Sequence, residues 1–432
     1  MKKSIILIGI CILLPLNLCI MSGKGTTPKI SNGDSWNRTW GNEADNDWAN
    51  DLVLDSSNNI YITGHTNSSE TNGWEILLLK FNSSGDLQWN KTWGGIEYDQ
   101  GMEIGLDSAN NIFVAGSSDN FGAGDRDIIL VKFDNSGNYQ WHRTWGGSKH
   151  EYSCGMVLDS LDNIHLVGST RSFGPNSDVF LLKYNNSGDL EYNVTWGGSG
   201  DDYAYEIALD NSGNIFIAGN IESLAFEDVT IVKFNSLGHY QWHQSWGGSD
   251  YECVDSLALD SLNNIYVAGS FYSYGSETCV VKFNSSGHVQ WYRTWDKYDG
   301  YVKDLTVDAH DNIYLSGTYK NDMFFVEYDY TGTLQGYCIW GSGLDESSSA
   351  MKVDSIDNIY VVGIVDVTGN WQHDVILFKN PQLCKSLKSP NISGYLNFII
   401  IAIICITAVI FVKIHKSDRK FSTDMFLSLP KS

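Results

Sequence analysis

Acidic side chains recur along this chain at intervals that could support cation binding or a cluster with perturbed pKa values. They stand between an apolar segment that ends in Trp and the next apolar segment, once or twice in each of seven successive stretches. Crowded carboxylates raise one another's pKa or collect cations, so these residues are the first candidates for a ligand-binding site. The candidates are Asp99, Glu151, Asp201, Asp202, Asp250, Asp299 and Asp345, with Asp45 at the corresponding place near the start.

A repeated motif defines the elements that must position these acids. The motif is Asp-x-x-x-Asn-Ile, then an aromatic or His residue, an apolar residue, any residue and Gly. It occurs seven times, with successive copies 46 to 52 residues apart, first as Asp55 to Gly64 and last ending at Gly363. A fixed period of this length is typical of a propeller, a solenoid or an array.

Each repeat contains four apolar runs of strand length, which we label A, B, C and D. In the second repeat they are Met102 to Leu106, Ile112 to Val114, Ile128 to Phe133 and Tyr139 to Trp145. The runs are rich in β-branched and aromatic residues, and Asn, Asp and Gly between them tolerate tight turns. Two Trp residues spaced by four along most D runs fall on one face, which we expect to pack against the next blade.

The order of these runs predicts how a ring would close. One D run, Trp36 to Trp40, precedes every A run, and the last C run, Asp374 to Lys379, has no D run after it. The first D strand should therefore complete the last blade and leave no long open edge. We expect an all-β fold over residues 35–380: a seven-bladed β-propeller of four-stranded antiparallel blades, closed by an N-terminal strand.

The residues of the repeat also resemble a known family. The pattern of Trp-Gly-Gly, IALD-x-x-x-NIYVAG and VKFNSSG-x-x-QW looks like the SBBP-type β-propeller repeats found in secreted and surface proteins of prokaryotes. In its A–B hairpin it is also similar to NHL-type repeats. The resemblance covers residues 35 to 380 and implies seven blades with A innermost and D outermost. It implies no particular chemistry, because one fold can host many functions.

Alternating strand directions separate the connections onto two faces. The A–B and C–D turns lie on one, which we call the turn face, and the B–C and D–A loops lie on the other, the loop face. The turns repeat while the loops vary, and differences between blades suit a binding surface. The acidic candidates lie in the D–A segments that lead inward to strand A, so we expect them to ring the channel mouth. The alternative is that they cap turns and solvate the rim.

Composition and motifs narrow the function. The formal net charge of −23 disfavours nucleic acid as a partner. The sequence has no His-Glu-x-x-His, no Gly-x-Ser-x-Gly and no phosphate loop, so we expect a binding protein and no enzyme. We expect protein or glycan partners, no resident metal or cofactor, and calcium as the one candidate ion. The alternatives are a structural cell-envelope protein, or a propeller enzyme that acts on extracellular glycans or small molecules.

The two ends of the chain predict a location at the cell surface. Residues 1–23 have the layout of a secretory signal peptide, with an uncleaved anchor as the alternative. Residues 395–412 are almost wholly apolar and long enough for a transmembrane helix, after a linker at 381–394. The basic residues Lys413, Lys416, Arg419 and Lys420 mark the tail at 413–432 as cytoplasmic. We therefore expect a single-pass protein of the cell membrane with the propeller outside.

Glycosylation sequons fit an extracellular surface. Each has the form Asn-x-Ser/Thr, and several fall inside the repeated turn and strand motifs. The candidate acceptors are Asn37, Asn67, Asn82, Asn90, Asn185, Asn193, Asn284 and Asn391.

Overall fold

A computed structural model describes residues 35–41, 45–67, 73–223, 226–247, 252–271, 277–295, 300–366, 369 and 372–380. Within these ranges the chain forms 28 strands, arranged as seven four-stranded antiparallel sheets. None of the described segments is a helix of the length and apolarity needed to cross a bilayer. The predicted signal peptide at 1–23, the linker at 381–394, the helix at 395–412 and the tail at 413–432 lie outside the described residues.

The strands occupy four concentric layers. The first strands of neighbouring blades contact one another around the axis, so they form the innermost layer. They are β2 (Asn46–Leu54), β6 (Asp99–Leu106), β10 (Glu151–Leu158), β14 (Asp202–Leu209), β18 (Glu252–Leu259), β22 (Gly300–Val307) and β26 (Glu346–Val353). The second layer is β3 (Ile60–Asn67), β7 (Ile112–Ser118), β11 (Ile164–Thr170), β15 (Ile215–Ser223), β19 (Ile265–Phe271), β23 (Ile313–Tyr319) and β27 (Ile359–Asp366). The third is β4 (Glu75–Phe81), β8 (Asp127–Phe133), β12 (Asp178–Tyr184), β16 (Phe226–Phe234), β20 (Glu277–Phe283), β24 (Asp322–Tyr328) and β28 (His373–Lys379). The outer layer is β5 (Leu87–Trp93), β9 (Tyr139–Trp145), β13 (Leu190–Trp196), β17 (Tyr240–Trp246), β21 (Val289–Trp295), β25 (Leu334–Trp340) and β1 (Trp36–Trp40).

The ring closes as the order of the apolar runs predicts. Blades 1 to 6 take four consecutive strands each, whereas blade 7 has the order β26, β27, β28, β1. Trp36 pairs with Lys379 and Trp40 with Val375, so the first strand completes the last blade. One apolar core cluster joins residues of blades 1 and 7, and Trp36 and Trp40 pack against it. The predicted seven-bladed propeller with an N-terminal closing strand is thus confirmed.

The innermost strands share an irregularity that changes what faces the axis. In β2 the pairing with β3 shifts between Ala49 and Asp51, so Asn50 is an extra residue of a β-bulge. The same shift occurs at the equivalent place in the other six blades. A bulge re-aims the side chains that follow it. In the second strand, a Cβ on Gly116 would overlap the carbonyl oxygen of Gln100 at this point, which explains the repeated Gly.

The first Trp of an outer strand, present in five of the seven, packs against the next blade. Trp141 of blade 2 fills the space beside Gly188, which lies in the turn between β12 and β13 of blade 3. Arg143 lies over the Trp141 ring, 4.7 Å from its centroid, and donates to the Gly188 carbonyl at 2.8 Å. The predicted packing role of these Trp residues is confirmed.

Candidate functional site

The acids predicted from the sequence do not gather into one site. Asp99, Glu151 and Asp202 begin equivalent inner strands of blades 2, 3 and 4, and all three are fully buried. Asp99 accepts hydrogen bonds from Ser118 at 2.5 Å, Gly95 N at 2.6 Å and Asn120 at 2.8 Å, while burial raises its pKa. These carboxylates therefore fix the D–A loops at the junctions between blades.

The remaining predicted acids lie nearer the surface or outside the described ranges. Asp201 is exposed and accepts a hydrogen bond from Ser177 N at 2.8 Å. Asp345 is half-buried, with its Oδ2 3.3 Å from Nε2 of His373, and Asp45 is also half-buried. Asp250 and Asp299 lie outside the described residues.

An aromatic cluster lies at the channel mouth on the loop face, and the sequence reasoning did not identify it. It consists of Trp48, His65, Trp74, Tyr98 and His373, and the His65 ring contacts those of Trp48, Trp74 and Tyr98. The Trp48 ring stacks on His65 at 5.9 Å between centroids and lies 4.8 Å from His373. Trp74 lies 5.0 Å from His65 and 6.1 Å from Tyr98. The three larger rings are half-buried, so each presents part of its surface to solvent.

Strand pairing brings these rings together. Trp48 on β2 is directly opposite His65 on β3. Trp74, just before β4, forms a parallel bridge with Tyr98 of the next blade. His373 is the first residue of β28, so blade 7 supplies one side of the cluster. The only sequence signal is that aromatic and His residues recur at the ends of the variable loops, and it becomes visible only once the pairing is known.

The imidazole of His65 is held in its neutral form. Burial lowers the pKa of His65 to about 4, so its imidazole is neutral at physiological pH. The amide groups of Asn50 and Gln100 both lie 3.3 Å from His65 Nδ1. Since an amide NH₂ can only donate, Nδ1 is the acceptor and the ring proton lies on Nε2. The cluster therefore offers a neutral donor beside apolar ring faces.

Tyrosines continue the aromatic surface around the rim. Tyr152, Tyr203 and Tyr301 occupy the position of Trp48 in blades 3, 4 and 6. Their neighbours along each strand are buried, whereas Tyr152 and Tyr301 are 39% and 45% exposed. Because alternate residues of a strand face opposite sides, these rings lie on the side opposite to their buried neighbours. Arg126, paired with Asp119 at 2.7 Å, lies over the Tyr98 ring and places a fixed charge pair beside the aromatic cluster.

A second group, which we call the channel cluster, lies farther along the axis towards the turn face. It consists of Asp51, Glu103, Glu206, Asp304 and Lys352. Lys352 Nζ lies 3.7 Å from Asp51 Oδ1 and 4.0 Å from Asp304 Oδ2. Asp51 accepts from Ile104 N at 3.0 Å and Asp304 from Met351 N at 2.6 Å, so both carboxylates also tie neighbouring blades together.

The channel cluster perturbs its own ionisation. Burial raises the pKa of Glu206 to about 8 and raises the pKa of Glu103 well above its usual value, and nearby acids add to both shifts. Burial would lower the pKa of Lys352, but the carboxylates of Asp51 and Asp304 outweigh it and raise that pKa. The four acids follow the bulge in their strands. A strict two-residue alternation therefore assigns them to the wrong side, which is why the sequence reasoning missed them.

Cys154 is a potential nucleophile close enough to the channel cluster to interact with the charges of Glu103 and Glu206. Burial raises the pKa of its thiol to about 12, and the charges of Glu103 and Glu206 raise it further. A thiolate is the reactive form, so this Cys is not activated.

One group of three potential metal ligands lies on the turn face of the described residues: Asp308, His310 and Asp357. His310 Nδ1 lies 3.1 Å from Asp357 Oδ2. In other blades, Ser108 donates to Asp162 and Ser261 to Asp311 at the same place. The group therefore repeats a contact that joins turns of neighbouring blades.

The predicted glycosylation acceptors differ in accessibility. Asn67, Asn90 and Asn193 are exposed, whereas Asn37, Asn82, Asn185 and Asn284 are half-buried. Asn391 lies outside the described residues.

Comparison with known proteins supports the fold and the repeat. Residues 39–70 and 196–223 match the family model SBBP, described as a beta-propeller repeat. An uncharacterized WD repeat-containing protein of Acanthamoeba polyphaga mimivirus is 24% identical over 31% of this chain and 13% of that protein. The regulatory protein FlaEY of Caulobacter vibrioides is 24% identical over 23% of this chain and 12% of that protein. The chain thus spans only about an eighth of the length of these relatives.

Solved structures share the propeller architecture. Virginiamycin B lyase from Staphylococcus aureus, in a catalytically inactive form with quinupristin, has a TM-score of 0.56 and 9% identity, over 80% of this chain and 99% of that one. The WD40 domain of Neurospora crassa Pan2 has a TM-score of 0.51 and 9% identity, over 77% and 89%. Polysaccharide lyase Uly1 also has a TM-score of 0.51, with 8% identity over 78% and 90%. Since these neighbours include both enzymes and WD40 domains, the likeness concerns the fold.

Proposed function

We propose that this chain, built of SBBP-type β-propeller repeats, is a binding protein that captures a protein or glycan partner on its loop face. The observation that carries the proposal is the aromatic cluster around Trp48, with Tyr152, Tyr203 and Tyr301 continuing it around the axis. Half-buried aromatic rings with polar groups at their edges are typical of binding surfaces, because they bury much area at low entropic cost.

The charge of the channel favours a partner with cationic or hydroxyl-rich groups. Four acids face one base in the channel cluster, and the rim adds ring faces and phenol groups. Sugar rings can stack on the aromatic faces, and their hydroxyl groups can donate hydrogen bonds to the acids. A protein partner would insert Lys or Arg side chains, which aromatic faces and carboxylates both attract.

Display on the cell surface is part of the same proposal. The transmembrane segment at 395–412 and the secretory signal at 1–23 are inferred from the sequence. Asn380, where the described chain ends, contacts Asn358 in a turn between β26 and β27, with a hydrogen bond of 2.6 Å. A membrane segment that follows would leave the turn face near the bilayer and the loop face pointing outward. Protease protection of the tail at 413–432 in intact cells tests this orientation.

Binding is tested by probing glycan and surface-protein arrays with the full chain in detergent. Two loop-face variants, Tyr152→Ser and Tyr301→Ser, should lose at least about tenfold in affinity for any partner captured, as expected for removed aromatic anchors. Tyr330→Ser is the matched control, because Tyr330 is 61% exposed but lies in a turn on the opposite face. An equal loss of affinity in all three variants would contradict the proposal. So would an affinity that neither Tyr152→Ser nor Tyr301→Ser changes.

An enzymatic role is the second candidate. The observation that favours it is Glu206, whose pKa of about 8 suits a general acid, beside the other acids of the channel cluster. Loss of turnover of an extracellular glycan in Glu206→Gln, with ligand capture intact, would establish it. A purely structural role in the envelope predicts neither capture nor turnover.

A further inference from the structure

Pairs of acids meet at the junctions between blades, apart from the aromatic cluster and the channel cluster. Each third strand carries an acid at or near its start, and six of the seven first strands carry another at the position that faces it from the next blade. Asp127 and Glu151 form such a pair between blades 2 and 3, and Asp322 and Glu346 between blades 6 and 7. Asp127, Glu151 and Glu346 are at most 1% exposed.

A glycine follows the last Trp of six of the seven outer strands, and at four junctions it lies between the two paired acids. Asp127 Oδ1 and Glu151 Oε2 both lie within 2.5 Å of the point where a Cβ on Gly146 would be. The two oxygens are therefore no farther apart than twice that distance. Two oxygens that bind one Ca²⁺ at its usual bond lengths are at most ~5 Å apart, so the separation fits a shared ion. The same arrangement recurs around Gly197 with Asp178 and Asp202.

Three oxygens of these pairs are buried without a donor. Asp127 Oδ1, Asp322 Oδ1 and Glu346 Oε2 accept no hydrogen bond from any part of the chain that the structure describes. The second oxygen of the carboxylate does accept a hydrogen bond in two of these residues. Asp127 Oδ2 accepts one from Gly124 N at 3.0 Å, and Glu346 Oε1 accepts one from Ser342 N at 3.2 Å. Each open oxygen thus belongs to a carboxylate that is already held in place.

No base neutralises these pairs. Within the described ranges, no Lys, Arg or His forms an ion pair with Asp127, Glu151, Asp322 or Glu346. Burial and the charge of Asp322 raise the pKa of Glu346. Two buried carboxylates without a counter-charge are costly, so the pair must gain a cation or share a proton.

The pairing of acids repeats around the ring with one exception. The third strands carry Glu75, Asp127, Asp178, Asp228, Glu277, Asp322 and Asp374 at this position, and the first strands carry Asp47, Asp99, Glu151, Asp202, Glu252 and Glu346. In blade 6 the first-strand position is Gly300. In the sequence, the preceding Trp295 is followed there by Asp296, where the other junctions have Gly. Both strand positions therefore carry an acid at six of the seven junctions.

We propose that a hard divalent cation of the Ca²⁺ type binds between Asp127 and Glu151 and between Asp322 and Glu346, and joins neighbouring blades at the loop face. Carboxylate oxygens are the ligands that such cations prefer, and backbone carbonyls and water complete the shell. The ion links two blades through side chains, so it should stabilise the ring without touching the ligand surface.

The test uses the full chain in detergent, stripped with EDTA and then supplied with CaCl₂ or MgCl₂. Equilibrium dialysis should show at least two bound Ca²⁺ per chain, and saturating Ca²⁺ should raise the unfolding midpoint by at least about 2 °C. Because Trp340 directly precedes Gly341, Tb³⁺ should show Trp-sensitised emission that Ca²⁺ displaces.

Variants assign the ions to the junctions. Glu346→Gln and Asp322→Asn should each lose one bound Ca²⁺ and lower the Tb³⁺ emission, whereas Asp86→Asn, in an exposed turn, should change neither. Should a variant fail to fold, the stoichiometry of the unaltered chain still decides. Absence of bound Ca²⁺ and Mg²⁺, with a midpoint that rises only on acidification, would mean a shared proton and overturn the proposal.

Discussion

The ring of Trp48 lies 4.8 Å from the ring of His373, although the two residues belong to the first and last blades. The contact exists only because β1 completes blade 7 and brings the two ends of the repeat region together. His373 Nε2 in turn lies 3.3 Å from Oδ2 of Asp345, in the loop that enters blade 7. The aromatic cluster and the closure of the ring are therefore linked.

Removal of β1 should weaken both the fold and the aromatic cluster. A chain that begins at residue 45 lacks the five residues that pair with β28 and loses Trp36 and Trp40 from the shared core. Both rings are half-buried, and loss of one fully buried Trp costs ~3–5 kcal/mol, so we expect loss of the pair to lower the free energy of unfolding by more than about 3 kcal/mol. Denaturant unfolding measures it, with a chain that begins at residue 31 as the control. Equal stability of the two chains would refute the closing role of β1.

Lowering the pH should destabilise the propeller through His65. Its pKa is about 4 in the folded chain and about 6.5 when unfolded, so the unfolded state binds the extra proton between these values. The contribution of neutral His65 to the free energy of unfolding is complete above pH 6.5. It falls by up to about 3 kcal/mol as the pH is lowered towards 4.

The measurement is the free energy of unfolding between pH 7 and pH 4. His65→Gln should flatten the pH dependence in this window, whereas His288→Gln, at an exposed turn position, should leave the slope unchanged. A slope that is the same in His65→Gln and the unaltered chain would show that other groups carry it.

The strand order was predictable from the sequence because the repeat encodes it locally. Asp107, for example, accepts hydrogen bonds from Ala109 N at 3.0 Å and Asn111 N at 2.7 Å, so one short motif both marks and builds each turn. Closure followed from counting strands. The strand order also explains why β25 has Gly336 in place of a Trp. Blade 7 has no hairpin between its third and outer strands, so a Trp there would have no turn to pack against.

The candidate site was harder to predict because it depends on pairing and bulges. Asp99 and Glu151 were identified as acids near the axis, yet their burial at the junctions depends on loops that fold over them. Asp51 and Asp304 face the axis only because a bulge precedes them. Trp48 and His373 are distant in sequence, and no local pattern connects them.

The channel cluster should respond in opposite ways to loss of an acid and loss of its base. Glu206 has a pKa of about 8 when folded, against about 4.3 unfolded, so its ionisation opposes folding increasingly as the pH rises through this window. Glu206→Gln should raise the free energy of unfolding by about 1–2 kcal/mol at pH 8 and change it little at pH 4.5.

Lys352→Met should instead destabilise the chain by about 1–3 kcal/mol at pH 8, because it leaves the acids without their counter-charge. Adding Glu206→Gln to Lys352→Met should recover more stability than it adds to the unaltered chain. A double-mutant cycle by urea unfolding measures this difference. Strict additivity of the two changes would show that the groups do not interact.

Two adjacent glycines should differ sharply in their tolerance of a methyl group. A Cβ on Gly197 would overlap Asp178 Oδ1 and Asp202 Oδ2, whereas one on Gly198 would meet only Asp202 Oδ2, at 3.8 Å. The oxygens beside Gly197 are fixed, since Asp202 accepts from Gly198 N at 2.5 Å and cannot withdraw without breaking that bond. Gly197→Ala should therefore cost more than about 2 kcal/mol of unfolding free energy, through overpacking.

Gly198→Ala is the matched control for this substitution. The new methyl group makes an ordinary contact, and loss of chain freedom in the unfolded state should leave stability within about 1 kcal/mol of the unaltered chain. Thermal and urea unfolding of both variants measure the difference. If Gly197→Ala is as stable as Gly198→Ala, the acids at this junction have room to separate. The spacing that underlies the proposed cation site would then not be fixed by the fold.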